Sequence, residues 1–271
     1  MYKFSLVFVF LFTSLVFAAG EMKAPMEPDW TFQGPLGKFD RAELQRGYQV
    51  YTEVCSSCHS MNLLSYRNLV QAGGPEFSEE QAKAMAAMFE VETGPNSDGE
   101  MFMRPAILSD RFVSPWKNEQ EGRVANGGAY PPDLSVMVKA RSGGADYVYS
   151  LILGYKDEVP EGVTLDDGVY YNVYAKNQKI AMPQVLYEDG VEYTDGTAAT
   201  EVQMAKDVTA FLAWSAEPKL EERKRIGFKV IIYLIILSNY FLYNDLLNHY
   251  AFFIGLNVVL VVNGRSVKKL G

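Results

Sequence analysis

The sequence predicts a mostly α-helical exported domain with long irregular loops, followed by one transmembrane helix near the C-terminus. Three stretches combine an N-terminal capping signal with apolar residues at helical spacing. The segments between them are rich in Gly, Pro and aromatic residues, which is typical of loops. An almost uninterrupted apolar run occupies residues 226–243. Eighteen helical residues extend about 27 Å, close to the thickness of the hydrocarbon core of a bilayer.

The N-terminus has the pattern of a secretory signal peptide, residues 1–18. Lys3 precedes an apolar stretch at 4–17, and Val16, Phe17 and Ala18 have the spacing of a cleavage site. An uncleaved N-terminal anchor is the alternative, for which the apolar stretch is short. In either case residues 19–222 are expected to form an exported domain.

The charge of the chain is distributed unevenly. Residues 20–218 contain 16 Lys and Arg against 30 Asp and Glu, whereas residues 219–271 contain eight against three. An acidic domain repels nucleic acid and attracts basic partners, although solubility alone also explains such a balance. We therefore expect no nucleic-acid partner.

The first helix is expected to begin after Asp40. Glu43 stands where a capping-box partner belongs, and Phe39 and Leu44 have the spacing of a hydrophobic staple. Apolar residues then recur at helical spacing as far as Val54. The segment that follows, residues 55–59, is thus placed at the end of an amphipathic helix.

A second helix is expected to begin after Ser78, with Met85, Met88 and Phe89 on its apolar side. Residues 99–131 are predicted to be irregular. Short helices follow at about 133–142 and 145–153, ended by Gly143 and Gly154. Residues 154–197 are assigned to loops with a candidate hairpin. A last helix of the exported domain begins after Thr200 and ends before Pro218, and its apolar face consists of Met204, Val208, Phe211 and Leu212.

The membrane anchor is assigned to residues 223–244. Lys229 is the one charge inside the apolar run and lies near its end, where its side chain can extend to the membrane surface. A second apolar run at 250–262 is too short to span a membrane alone, and polar residues including Asn244 and Asp245 separate the two runs. Residues 245–271 are therefore treated as an atypical tail. A helical hairpin and a tilted long helix are the less economical alternatives.

The motif Cys55-Ser56-Ser57-Cys58-His59 carries the functional signal. Cys-x-x-Cys-His is the attachment sequence of c-type haem: two thiols add to the two vinyl groups, and the adjacent His becomes an iron ligand. A thiol oxidoreductase would need a thioredoxin-like βαβ context, and a zinc site would need a further ligand. A structural disulfide would leave His59 unexplained. The motif therefore predicts one covalent haem c with His59 as a metal ligand.

The second axial ligand is constrained by composition. The only other histidine, His249, lies beyond the membrane run, so two His ligands within the exported domain are excluded. Met182 is favoured by its position in a loop before Pro183, and Met101 and Met103 remain candidates. The helical methionines are assigned to the core; they are Met85, Met88 and Met204.

Several longer motifs resemble the cytochrome c1 family in its bacterial form, over roughly residues 28–237. The motifs are Cys55-Ser-Ser-Cys-His-Ser-Met61, Gly94-Pro-Asn, Asp98-Gly-Glu-Met-Phe-Met-Arg-Pro105, Ala125-Asn-Gly-Gly-Ala-Tyr-Pro-Pro-Asp-Leu-Ser135, Gly143-Gly-Ala-Asp-Tyr-Val148, Ile180-Ala-Met-Pro183 and Ala216-Glu-Pro-Lys219 with Arg223-Lys-Arg225. The resemblance implies a cytochrome c-like haem domain with long loop insertions.

The family's site residues transfer onto matching positions of this chain. The resemblance implies that Met182 is the sixth iron ligand and that Arg141 pairs with a haem propionate. It implies a haem pocket lined by Asn126, Pro131, Pro132 and Tyr147. It also implies that Glu90, Glu92, Asp98 and Glu100 belong to an acidic docking surface for a basic cytochrome c.

The implied function is one-electron transfer in the respiratory chain. The haem subunit of the quinol–cytochrome c oxidoreductase complex takes an electron from the Rieske iron–sulfur protein, beside cytochrome b, and passes it to cytochrome c. No bond-making chemistry is then required of this chain. The expected location is the inner membrane, crossed once, with the haem domain in the periplasm. A stand-alone tethered carrier serving a terminal oxidase and a haem peroxidase are the alternatives.

Two departures from the family pattern concern residue 184 and the tail. The family continues Met-Pro with further prolines, whereas Gln184 stands here. The resemblance fades after about Leu237, and either a shifted reading frame or a lineage-specific extension accounts for residues 238–271.

Overall fold

A computed structural model describes the backbone of residues 23–267 and the side chains of residues 23–250. The predicted signal peptide, residues 1–18, lies outside the described residues. The described chain falls into two compact units. The larger comprises residues 23–31 and 39–218, and the smaller comprises residues 32–38 and 219–267.

The larger unit is mostly helical, as predicted. Its helices are α1 (Arg41–Glu53), α2 (Glu79–Ala87), α3 (Glu119–Ala125), α4 (Met137–Ala140), α5 (Gly144–Leu153) and α6 (Glu201–Ala216). Two small antiparallel sheets accompany them: β1 (Glu90–Thr93) with β2 (Phe102–Pro105), and β3 (Tyr170–Tyr171) with β4 (Lys179–Ile180). Long loops connect these elements.

The predicted starts of three helices are confirmed. Asp40, Ser78 and Thr200 each accept a hydrogen bond from the backbone N–H three residues on, at 3.0, 3.2 and 3.1 Å. Each bond satisfies a backbone donor that has no partner inside the helix. The predicted hairpin within residues 154–197 is also confirmed, as β3 and β4.

The core forms where α1 crosses α6. Gly47 lets the two backbones approach, because a Cβ atom at this position would lie 2.1 Å from the carbonyl oxygen of Asp207. The ring of Phe211 lies 5.8 Å from that of Tyr48 and 5.9 Å from that of Tyr51. The predicted apolar face of α6 is buried in full: Met204, Val208, Phe211 and Leu212.

An ion pair also joins these helices. Asp207 is fully buried, and Arg46 binds both of its carboxylate oxygens, through Nε at 2.9 Å and Nη2 at 3.0 Å. Gln203 donates a further hydrogen bond to Asp207 at 3.0 Å. A buried charge is tolerated only with such partners, so the pair fixes how the helices cross.

Two expectations about the middle of the chain were wrong. Met88 is 77% exposed, because α2 ends at Ala87; the buried face of this helix consists of Ala82 and Ala86. Residues 99–131 contain β2 and α3 rather than irregular structure alone. The residues of β2, Phe102-Met103-Arg104-Pro105, do not alternate between apolar and polar, so the period of a strand is not visible there in the sequence.

Gly143 also has a different role from the one predicted. The helix before it, α4, has only four residues, ends at Ala140 and has Arg141 as its C-cap, whereas Gly143 precedes α5 as its N-cap. Its φ of +87° lies in the left-handed region that favours glycine. The glycine therefore shapes the turn between two helices.

The smaller unit is built around one continuous helix, α7 (Leu220–Val267). Residues 220–250 are long and apolar enough to cross a membrane. Asn244 does not end the helix, because its side-chain amide donates to the Tyr240 carbonyl at 2.8 Å and is satisfied within the helix. The first part of the predicted tail, residues 245–267, thus continues α7.

Candidate functional site

A cavity of about 370 Å³ opens beside the C-terminal end of α1, in the larger unit. All nine residues predicted for the site line it: Cys55, Cys58, His59, Asn126, Pro131, Pro132, Arg141, Tyr147 and Met182. The structure therefore brings together predicted residues that are up to 127 positions apart in the chain. Apolar side chains from α5, α6 and the 185–186 segment complete the wall: Val148, Leu151, Ile152, Val185, Leu186, Val208 and Leu212.

The two cysteines lie at a 3₁₀ turn, Cys55–Ser57, that follows α1 directly. The N–H groups of Cys58 and His59 both donate to the Cys55 carbonyl, at 3.2 and 2.9 Å. Both thiols are free. Burial raises the pKa of the Cys55 thiol to about 12, so this thiol is neutral. A thiol oxidoreductase needs a lowered pKa at its nucleophile, so that function is not favoured.

His59 is held in one orientation by the loop opposite. Its Nδ1–H donates to the Pro132 carbonyl at 2.8 Å, because a carbonyl can only accept. Burial lowers the pKa of His59 despite this hydrogen bond, so the ring is neutral and Nε2 keeps its lone pair. A backbone carbonyl on one ring nitrogen is the usual support of a histidine that binds metal through the other.

Asp133 links its own loop by hydrogen bonds to the segment that follows His59. Its carboxylate accepts hydrogen bonds from Asn62 N–H at 2.7 Å, from the Ser60 hydroxyl at 2.9 Å and from Ser135 N–H at 2.8 Å. Burial alone would raise the pKa of Asp133, but these hydrogen bonds outweigh burial and lower it. The charged carboxylate thus supports the loop that holds His59.

Two aromatic side chains fix the backbone of the motif itself. Trp116 Nε1–H donates to the Cys58 carbonyl at 2.9 Å, and the Tyr51 hydroxyl donates to the His59 carbonyl at 3.3 Å. The supporting roles of Asp133, Trp116 and Tyr51 were not predicted from the sequence. Trp116 and Asp133 lie 58 and more than 70 residues from their partners, and no local pattern shows such contacts.

Met182 stands on a loop, two residues after β4 ends at Ile180. The Tyr155 hydroxyl donates to the Met182 carbonyl at 2.9 Å and so fixes the backbone there. Asn172, fully buried, donates to the Leu151 carbonyl at 2.7 Å and thereby joins the β3–β4 hairpin to α5. Tyr155 and Asn172 were also missed from the sequence.

Other methionines differ in their positions. Met101 and Met103 are each 55% exposed and do not line the cavity. Met137 on α4 does line it, although no pattern in the sequence singled it out. Met204, assigned to the core, is fully buried. The cavity wall thus presents two thioether side chains, Met137 and Met182.

Arg141 lies at the cavity as an exposed side chain. Its guanidinium makes one hydrogen bond, to the Ala140 carbonyl at 3.3 Å, and no ion pair with any residue in the described part of the chain. A cation placed in this way is available to an anionic group of a ligand.

This set of residues fits a covalently bound haem. Two free thiols, one imidazole with an available Nε2, a thioether, an arginine and apolar walls are the groups such a cofactor requires. Within the side chains that the structure describes, no three His, Cys, Asp or Glu groups converge as they would at a zinc site.

Comparison with known proteins gives a consistent result. The sequence profile of the Cytochrome C1 family matches residues 30–249, farther toward the C-terminus than the predicted 237. Cytochrome c1 1, heme protein, mitochondrial, of Arabidopsis thaliana is 54% identical over 213 residues, 79% of this chain and 68% of that protein. The Cytochrome b-c1 complex catalytic subunit, mitochondrial, of Candida albicans is 48% identical over 80% of this chain and 74% of that protein.

A bacterial relative shows the same similarity. The Cytochrome b/c1 protein of Bradyrhizobium diazoefficiens is 48% identical in an alignment that covers 77% of this chain and 33% of that protein. The profile match extends over most of the described chain, including every residue that lines the cavity. The chain belongs to the cytochrome c1 family.

Proposed function

We propose that this chain is a one-electron carrier with a single covalent haem c, acting as the haem subunit of the respiratory quinol–cytochrome c reductase complex. The observation that carries the proposal is the cavity, in which the Cys55-x-x-Cys58-His59 turn and Met182 come together between apolar walls. The names of the relatives, a heme protein and a b-c1 complex subunit, support the same function.

The chemistry of the side chains indicates which residues would hold the haem. Cys55 and Cys58 would attach the haem through thioether bonds, and His59 and Met182 would bind the iron. Arg141 would pair with a propionate, while Asn126, Pro131, Pro132 and Tyr147 would line the pocket. When bound, the group supplies reversible one-electron chemistry.

The chain's own residues would hold the haem ligands in place and exclude water from the site. Pro132 and Asp133 hold His59 in place, and Tyr155 holds the backbone of Met182. The apolar walls keep the site dry, which influences the reduction potential. No bond-making step is assigned to this chain, and its catalytic contribution belongs to the complex.

The proposed partners are cytochrome b and the Rieske iron–sulfur protein, with a basic cytochrome c as the acceptor. Glu90 and Glu92 are exposed on β1, and Asp98 and Glu100 are exposed in the loop between β1 and β2. These carboxylates lie on one hairpin, and such a cluster accelerates encounter with a cationic protein.

The proposed location is the inner membrane, crossed once by α7, with the haem domain in the periplasm. The apolar length of residues 220–250 supports a single anchor, and the predicted signal peptide supports export. The proposed organisation is a signal peptide at 1–18, a haem domain at 19–222, an anchor at 223–244 and a tail at 245–271.

Membership of the complex is tested by a reduced-minus-oxidised visible spectrum of the tagged chain, purified in mild detergent from its own membranes. We expect b-type haem bands beside the c-type band. A c-type band alone, under conditions that keep such complexes intact, would favour the stand-alone carrier.

Acceptor docking is tested by charge reversal. Glu90→Lys and Glu92→Lys should slow cytochrome c reduction at low ionic strength, and the effect should fade as salt is added. Glu158→Lys makes the same charge change at an exposed position outside the β1–β2 hairpin and serves as the control. Equal effects of all three variants would argue against docking at the hairpin.

A further inference from the structure

Residues 32–38 form a tight loop in the smaller unit. Gly37 closes it, because a Cβ atom at this position would lie 1.8 Å from the Gln33 carbonyl oxygen. Gly34 has a φ of +70°, in the left-handed region. The loop is therefore a defined structure that these glycines make feasible.

Lys224 fastens both ends of the loop to α7. Its Nζ donates to the Phe32 carbonyl at 2.6 Å and to the Gly37 carbonyl at 3.1 Å. Lys224 precedes the apolar run by two residues, and a helix rises about 1.5 Å per residue. The loop is thus attached at the level where the membrane-spanning part of α7 begins.

The tip of the loop exposes an apolar side chain. Leu36 is 77% exposed, although Phe32 at the base of the loop is buried. On α7, the exposed apolar surface starts at Ile226, which is 50% exposed, and continues with Phe228 at 57%. The loop, which Lys224 attaches to α7, therefore adds an exposed apolar side chain to the unit that carries the candidate membrane span.

Exposed cations accompany Leu36. Lys38 and Arg225 are both exposed in the same unit. Basic side chains close to a membrane surface are attracted to anionic headgroups. Leu36 and Lys38 thus place an apolar and a basic side chain within one loop, and apolar and basic side chains together favour the interface of a bilayer.

We propose that the loop 32–38 is a lipid-contacting element, in which Leu36 enters the interfacial layer of the bilayer while Lys38 and Arg225 face anionic headgroups. The inference rests on the proposed anchoring of this chain by α7. The apolar contact would add to the hold of the single span and would limit rotation of α7 about its own axis.

The test measures the surroundings of a spin label on the full-length holoprotein in vesicles that contain anionic lipid. Cys55 and Cys58 are the only cysteines of the chain, so after haem attachment an introduced cysteine is the only free thiol. Labels are placed at Leu36→Cys, at Ile235→Cys within the span and at Val124→Cys, which is 86% exposed in the larger unit. Collisions with oxygen report lipid, and collisions with a water-soluble nickel chelate report water.

We expect the labels at 36 and 235 to collide several-fold more often with oxygen than with nickel, and the label at 124 to show the reverse. A double variant, Leu36→Cys with Gly37→Ala, should lose the oxygen preference at 36 because the loop cannot close. If Leu36→Cys lowers the haem content, the label is moved to the adjacent exposed Pro35.

Two outcomes separate this inference from the proposed anchor. A label at 36 that collides with nickel, while the label at 235 remains in lipid, would overturn the lipid contact and leave the anchor intact. Exposure of the label at 235 to nickel would overturn the anchor and the loop contact together. A label at 36 that is shielded from both reagents in the intact complex would mean that a protein partner covers the loop, which also contradicts lipid contact.

Discussion

Two side chains, one imidazole and one thioether, determine how the cavity would coordinate an iron atom. His59 has one orientation because Nδ1–H is bonded to the Pro132 carbonyl at 2.8 Å, which leaves Nε2 for a metal. Geometry alone does not identify which methionine would be the second iron ligand, since Met137 and Met182 both line the cavity. Replacing each of the two in turn therefore identifies the ligand.

We predict that Met182→Leu lowers the midpoint potential of the haem by on the order of 0.1 V or more, because axial ligands set haem potentials over a range of about 0.8 V. Met137→Leu makes the same chemical change in the same cavity and should leave the potential nearly unchanged. A potentiometric titration monitored by visible absorbance measures both. An unchanged potential in Met182→Leu would remove this residue from the proposed ligand set.

Glu43 is a buried carboxyl that is unfavourable in the core when it is ionised. The sequence assigns it to a capping box, but its side chain is 5% exposed and Oε2 has no hydrogen-bond partner in the described structure. Burial, and to a smaller extent Asp207 and Asp40, raise the pKa of Glu43 to about 7, against the opposing effects of Lys206 and Arg46. The carboxyl is therefore protonated more readily in the folded chain than in the unfolded chain.

The sign of the pH dependence follows from that shift. Between pH 4.5 and about 7 the folded state binds more protons at Glu43, so this residue lowers the free energy of unfolding as pH rises, by up to about 3 kcal/mol. Glu43→Gln should abolish this decrease and be more stable than the native chain at about pH 8. Denaturant unfolding at several pH values measures the effect, with Glu53→Gln on the exposed end of α1 as the control. A stability difference that is the same at every pH would contradict the assignment.

The crossing of α1 and α6 illustrates packing at the scale of elements. Gly47→Ala would place a Cβ atom 2.1 Å from the Asp207 carbonyl oxygen, a contact with backbone that only a shift of the helices can relieve. We predict destabilisation of roughly 3 kcal/mol and less accumulated holoprotein. Gly227→Ala is the matched control, because this helical glycine on α7 has nothing within 4 Å of the added atom. Equal stability of the two variants would show that the helices do not pack this closely.

Elements with local signals could be predicted, and elements that depend on distant contacts could not. The caps at Asp40, Ser78 and Thr200 are written in four-residue patterns, and all three are confirmed. The β1–β2 hairpin has strands of only four residues, and its base is fixed by Arg104 and Asp110 through two hydrogen bonds of 2.6 and 3.0 Å. Such a pair has no signature in sequence.

The residues of the site also divide into those with a local sequence signal and those that depend on distant contacts. The motif at 55–59 predicts the chemistry because its three reactive residues lie within five consecutive positions, and the family resemblance supplies the positions around them. The groups that position His59 and Met182 were missed, because Asp133 and Tyr155 act across 71 and 27 residues. Long-range hydrogen bonds appear only once the chain is folded.

At the scale of the molecule, the haem-carrying part and the anchor are different units. The cavity lies wholly within the larger unit, and the apolar residues 220–250 lie in the smaller one. We predict that a chain ended after Pro218 keeps its haem and is released from the membrane. Ultracentrifugation with haem spectra of the pellet and supernatant measures this. Retention in the membrane would indicate a second anchor, and loss of haem would mean that the larger unit depends on α7.

The proposed electron transfer requires a haem bound covalently by Cys55 and Cys58. The most direct test is the visible spectrum of the denatured, purified full-length chain in alkaline pyridine, taken together with its protein concentration. We predict one haem per chain with the spectrum of a thioether-linked c-type group, which stays with the protein through denaturation and acid extraction. A chain that carries no haem, or releases it on extraction, would contradict the proposed attachment and the electron-transfer function built on it.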